Sequence, residues 1–195
     1  MTTRICRDFD FLAAVHFENQ FLMNCYSITL SMDVQTDSIR EQNIAMDRLK
    51  YLVFEVLNSA VFINSSESKV IEKYQAAGLR VCTTPDEPYD QIIALLLFHK
   101  FNTITEEKLH VTHIQLESEL SDGVGFMLED EILEAAPISP GWWTENNILV
   151  SDKISGKKEK IVRLVKKADW STLGLDWKEK DSNQSEIVFA PEIKK

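Results

Sequence analysis

The chain has no long apolar run. The longest, Ile92 to Phe98, falls far short of the roughly 20 residues that cross a bilayer. Its first residues, Met-Thr-Thr-Arg-Ile-Cys-Arg-Asp, put charge where a signal peptide would be apolar, so a cytoplasmic protein with no membrane contact is expected. Cysteine is scarce. Cys6, Cys25 and Cys82 are widely spaced and form no C-x-x-C pair, which points to buried or partly buried free thiols. No G-x-G-x-x-G, no P-loop and no G-x-S-x-G occurs, so phosphate cradles and the nucleophile elbow are excluded. Gly123-Val124-Gly125 has the look of a hairpin turn.

Positive charge is also short. The formal net charge is -10, and residues 1–140 carry 22 acidic against 10 basic side chains. Such a body repels phosphate and argues against general nucleic-acid binding. Residues 141–195 reverse the balance, with 9 acidic against 11 basic. There Lys153, Lys157, Lys158, Lys160, Arg163, Lys166 and Lys167 alternate with Ile161, Val162, Leu164 and Val165. A solvated hairpin face is the simplest reading, and a nucleic-acid contact is the alternative.

What is present is the balance of a globular α+β domain: 44% hydrophobic and 27% charged residues over 195 positions. Residues 5–17 predict a strand. Tyr26, Ile28, Leu30, Met32 and Val34 alternate with polar partners and predict a second, half-buried one. Ser38 and Glu41 fit a capping box before an apolar helical stripe running from Leu49 to Ala60. A short helix over 67–77, a brief strand or link over 79–83, and a nearly all-apolar helix over 89–101 follow. Two strands over 108–117 and 123–128 complete the order ββ-α-α-α-ββ. That order predicts an antiparallel sheet with helices on one face. All four tryptophans, Trp142, Trp143, Trp170 and Trp177, lie beyond Pro140. Residues 1–140 are therefore expected to form the domain. Residues 141–195 are expected to be an extension, with strands near 147–152, 160–167 and 187–190, pinned by its tryptophans to the body or a neighbouring subunit.

Three stretches within about residues 5–130 resemble the family of 6-pyruvoyl-tetrahydropterin synthase and 6-carboxy-tetrahydropterin synthase. Leu12-Ala13-Ala14-Val15-His16 stands in the place of its F-x-A-A-H strand. Tyr26 leads an alternating strand as in its H-G-H-x-Y word. Pro88-Tyr89-Asp90-Gln91-Ile92-Ile93-Ala94 starts a helix as in its P-T-A-E-N-I-A word. The resemblance implies a T-fold sheet, a homo-oligomer, and a pterin- or purine-like ligand bound between subunits. It also implies a zinc site of three histidines. His16 supplies the first as a remnant, while Leu22 and Asn24 occupy the other two places, so no metal or other cofactor is expected. The proton-relaying Asp-His pair falls on Ser59 and Ala60, and the helix-start glutamate on Gln91. The ligand-anchoring glutamate falls on Ser118, with Glu117 and Glu119 beside it, and a one-residue bulge would bring a carboxylate inward.

Catalytic residues are accordingly expected to be absent, and ligand contacts are assigned to Glu117, Glu119, Ser118 and Gln91. A divergent enzyme of the same family is the alternative. His110 and His113 are three apart, which on a regular strand puts them on opposite faces. His99 is expected to be satisfied in the core, and Cys25 to be a packed thiol.

Overall fold

The computed structural model describes residues 3–130, 139–150 and 169–178. Its centre is a long hairpin of β1 (Arg4–Phe17) and β2 (Gln20–Val34), paired without interruption from Arg4–Asp33 to Phe17–Gln20. Glu18 and Asn19 join the strands with φ of 49° and 61°, the conformation of a two-residue hairpin turn whose twist matches its strands. β2 starts six residues before the Tyr26 onset that alternation predicts. Over 20–25 the alternation is masked, because Phe21 and Met23 are apolar yet exposed while Asn24 is polar yet buried.

Helix α1 (Ile39–Tyr51) begins at Ser38, whose hydroxyl accepts the Glu41 N–H. Only half of the capping box forms, since the Glu41 carboxylate takes the Thr36 hydroxyl proton at 2.6 Å instead. The apolar stripe continues through a π-helical segment, Leu52–Leu57, and stops there. Ala60 is not helical. It opens β3 (Ala60–Asn64), which pairs parallel to β1, and helix α2 (Ser68–Ala76) leads to β4 (Arg80–Thr84), parallel to β3. Helix α3 (Asp90–Thr105), β5 (Leu109–Ser118) and β6 (Gly125–Glu129) complete the described elements of the domain.

The sheet order is β4-β3-β1-β2-β5-β6, so the sheet is mixed, not antiparallel throughout. The physical reason lies in Ala60–Ile63, four consecutive buried residues. Such a run marks a strand covered on both faces, and parallel strands need a crossover helix to connect them. α2 is that helix. Ile71 packs on Ile63 and Val81 in a small cluster of its own, whereas neighbouring Phe62 and Cys82 face the main core. α2 therefore covers the face opposite to α1 and α3, and the helices are not all on one side.

The main core lies between the sheet and α1, the π-helical segment and α3. Trp142, Trp143, Val150 and Trp170 belong to it. The edge of β4 is met from beyond residue 140: Thr83 N–H donates to Val150 O at 3.0 Å, and Trp142 Nε1 donates to Thr83 O at 2.7 Å. On the opposite edge β6 pairs with no further strand among the described residues. The strands expected over 160–167 and 187–190, and the basic cluster at 153–167, lie outside the described residues, and of 147–152 only 147–150 are described. No helix among the described residues is long and apolar enough to cross a membrane.

Candidate functional site

Strand alternation decides which side chains can meet. Phe9, Phe11, Ala13 and Val15 of β1 face the main core, as do Tyr26, Ile28, Leu30 and Met32 of β2. Val15 pairs with Leu22 and Ala13 with Asn24, so Leu22 and Asn24 share that face. His16 does not. It lies on the α2 side, 5% exposed, with Nδ1 2.9 Å from the Tyr74 hydroxyl and Nε2 3.1 Å from Glu67 Oε2. His16 is a bridge from β1 to α2, and it shares no site with Leu22 and Asn24. Counted from Phe11, the stretch Phe11-Leu12-Ala13-Ala14-Val15 matches F-x-A-A-H with Val15 in the histidine place. On that resemblance the three zinc-binding places would fall on Val15, Leu22 and Asn24, which share one face and offer one weak amide donor and no imidazole. The residues do not fit zinc. Among the described residues no cluster of three histidine, cysteine or acidic side chains could hold any metal ion.

This assignment has a direct check. Val15→His, Leu22→His and Asn24→His combined is expected to bind zinc one-to-one by equilibrium dialysis with metal analysis. Leu22→His and Asn24→His with His16 left as it is should bind none tightly, because His16 projects through the other face.

Val15, Leu22 and Asn24 line a cavity of about 350 Å³ between the β1–β2 turn end of the sheet and the start of α3. Phe17, Tyr89 and Phe126 supply aromatic wall, and Asp90, Gln91 and Ser121 the polar remainder. Asn24 is 1% exposed, and its Oδ1 accepts the Leu120 N–H at 3.2 Å. Beside it lies the buried Tyr26 hydroxyl, toward which the Asn24 amide is turned. Burial pushes the Tyr26 pKa far up, against a smaller opposite pull from Asn24, and the Asp90 charge pushes it further up.

The residues assigned from the sequence are divided between two places. Ser118 faces inward, 8% exposed, and donates to Asp90 Oδ2 at 2.6 Å, tying β5 to the first turn of α3. Gln91 stands at the rim of the cavity, exposed. Glu117 and Glu119 line a shallow groove of about 540 Å³ with Asp10, Leu12, Cys25 and Asn58, and Ser118 borders the same groove. A bulge does occur in β5, but upstream: Ser31 pairs with His113 and Met32 with Val111, leaving Thr112 as the extra residue. It shifts the inward phase from Leu109 and Val111 to Ile114, Leu116 and Ser118, so it turns Glu117 outward. The same bulge overturns the expectation for His110 and His113. Opposite Asp33 and Ser31, the two histidines share the outer face, where His110 Nε2 meets Asp130 at 2.7 Å and His113 lies 3.9 Å from Glu129.

Ser59 adopts φ 65°, and its N–H donates to Leu12 O. Ala60 is buried. Neither carries a group that moves a proton. Cys25 is exposed and not packed, as is Cys6; only Cys82 is buried. Partial desolvation and the nearby Glu119 carboxylate push the Cys25 thiol up, away from the reactive thiolate. His99 keeps a buried Nε2 without a partner, and burial pushes its pKa down, which holds the ring neutral. The sequence reading missed Val15, Asp90 and the aromatic wall; counting by twos from Phe11 would have found the first.

No family model matches the chain, and no curated protein does. Among solved structures, an uncharacterized protein from Wolinella succinogenes is 11% identical, with a TM-score of 0.47 over 67% of this chain and 99% of that one. The 6-pyruvoyl tetrahydropterin synthase of Plasmodium vivax is 9% identical, with a TM-score of 0.43 over 66% of this chain and 97% of that one.

Proposed function

We propose that this chain is a metal-free, non-catalytic T-fold protein that binds a flat pterin- or purine-like heterocycle and assembles with copies of itself. The observation that carries the reading is the cavity at Val15, Leu22 and Asn24. Where a catalytic zinc would need imidazoles, these side chains leave a space large enough for one ring system, walled by aromatic residues. Asp90 and Ser121 give that space its polar groups. Residues positioned for proton transfer are lacking at Ser59 and Ala60. Assembly is supported by the β6 edge, which is open among the described residues, and by an outer sheet face that leaves Leu12, Phe21, Met23 and Met127 exposed.

A second reading places the ligand in the outer groove, where Glu117 and Glu119 flank Cys25, and allows chemistry there. A thermal-shift panel of pterins and purines separates the two. At a hundredfold excess over Kd, a ligand of the inner cavity should raise Tm by about 5 °C or more. Tyr89→Ala, at the exposed rim, should remove the shift, while Glu117→Ala and Glu119→Ala retain it. The opposite pattern would assign the ligand to the outer groove. No shift with any compound would leave assembly alone, and retention on DNA or RNA that falls with salt would point to the basic segment 153–167.

A further inference from the structure

Resting on the assembly part of that reading, we infer that the outer sheet face is a docking surface for the basic segment 153–167 of a second copy. The strand register defines the face. Asp10 stands beside Ser27 and Ser27 beside Glu117, and Asp8 and Glu129 lie one and two rows further along. These four carboxylates are exposed, and none of them pairs with a lysine or arginine among the described residues. Arg4 is the one described lysine or arginine on this face, and Asp33 takes it at 2.7 Å. Toward the β1–β2 turn the face becomes apolar, with Leu12, Phe21 and Met23 exposed.

Such a face suits a partner that is basic and apolar together, and it repels nucleic acid. This chain carries a stretch of that chemistry. Residues 153–167 hold seven basic side chains against Glu159 alone, interspersed with Ile161, Val162, Leu164 and Val165. The lengths of the tethers decide which copy supplies it. Val150 is held at the β4 edge by the Thr83 N–H, and Trp170 is buried in the main core. The open part of the outer face begins beyond α2, which covers β3 and β4 on that side. If residues 153–167 lay on the face of their own copy, Ser151 and Asp152 at one end and Ala168 at the other would have to pass α2 or the sheet. Two residues reach only about 7 Å, and a helix with its side chains is about 10 Å across. A neighbouring copy has no such limit, so the segment of one copy meets the face of the next, steered there by opposite charge.

Charge reversal on the full chain, followed by sedimentation velocity, tests the contact. One variant, Asp10→Lys with Glu117→Lys, reverses the face; the other, Lys158→Glu with Arg163→Glu, reverses the segment. Each variant alone is expected to self-associate about tenfold more weakly than the unaltered protein, or worse. An equimolar mixture of the two should recover the original strength to within about threefold, because each then carries the charge that the other lacks. Only a contact between copies gives that recovery. Asp10→Asn with Glu117→Gln keeps the side-chain shapes; it should weaken association less, and it tests the face should the reversed variant fail to fold. Association unchanged in both reversed variants would overturn the inference and leave assembly to another surface. So would a mixture that fails to recover, or a segment variant that loses retention on DNA while associating as before. A protein that stays monomeric at every concentration would take the assembly reading down with the inference.

Discussion

Replacing Arg48 with alanine is expected to lower the unfolding free energy by about 2–4 kcal/mol, for the loss of a buried cation's hydrogen bonds and packing while Glu106, part exposed, stays solvated. The side chain is 2% exposed, and three separate parts of the chain converge on it. Its guanidinium donates to Ile104 O at the end of α3, to Glu106 Oε1 and to Leu175 O, each at 2.9 Å. The rings of Trp177 and Trp170 lie over it at 4.0 and 4.9 Å. Burial pulls the Arg48 pKa down while Glu106 pulls it up, and arginine remains charged at any pH the protein survives. Truncation would strand the carbonyls and detach residues 169–178 from the body. Urea denaturation measures the loss. Lys50→Ala, which breaks an exposed pair with Asp47, is the control and should cost less than about 1 kcal/mol. Equal effects from the two substitutions would show that Arg48 does not anchor the segment.

Lys100 is expected to give the second large effect, and its sign depends on pH. Lys100 is fully buried in α3 and donates to Trp142 O and Glu145 O, both at 2.8 Å. Burial pushes its pKa down to about 8, from 10.5 in the unfolded chain, with a smaller upward pull from Glu145. Between those two values the unfolded state binds more protons, so stability rises with pH across that window. Below about pH 8 the cost of the buried charge is present in full; above 10.5 it is gone. Relative to Lys100→Met, which cannot titrate, the unaltered protein should gain roughly 2–3 kcal/mol between pH 8 and 10.5. Chemical denaturation of both proteins at pH 7.5, 9 and 10.5 gives the difference, in which the other titrating groups cancel. A difference that stays flat would mean that Lys100 keeps its ordinary pKa.

Much of the element order was legible because period and punctuation agree along most of the chain. Tyr26 to Val34 alternates cleanly, Gly78 follows α2, and Pro88 precedes α3, and the structure follows each of these signals. Two failures have one cause. Ala60 to Ile63 is apolar at every position, and such a run has no period from which to tell helix from strand. The parallel pair β3 and β4 was hidden behind it. At the site, a single extra residue at Thr112 put His110 and His113 on one face, while Ser118 and Glu117 kept the alternation that Leu116 sets. A bulge leaves no mark in composition, yet it exchanges the faces of everything that follows it. His16 lies on the face away from Leu22 and Asn24, which strand parity sets, since Val15 and not His16 pairs with Leu22.

The placement of the tryptophans has an optical consequence. All of them follow Pro140, and Trp142, Trp143 and Trp170 are buried against the body. Tryptophan emission in this protein therefore reports the seating of the later segments, while far-ultraviolet dichroism reports the sheet and its helices. Followed along one denaturation curve, the two signals form a built-in comparison. Coincident transitions would show that the body and the later segments unfold as one unit. An emission change that comes first would show residues 139–150 and 169–178 leaving a sheet that remains folded.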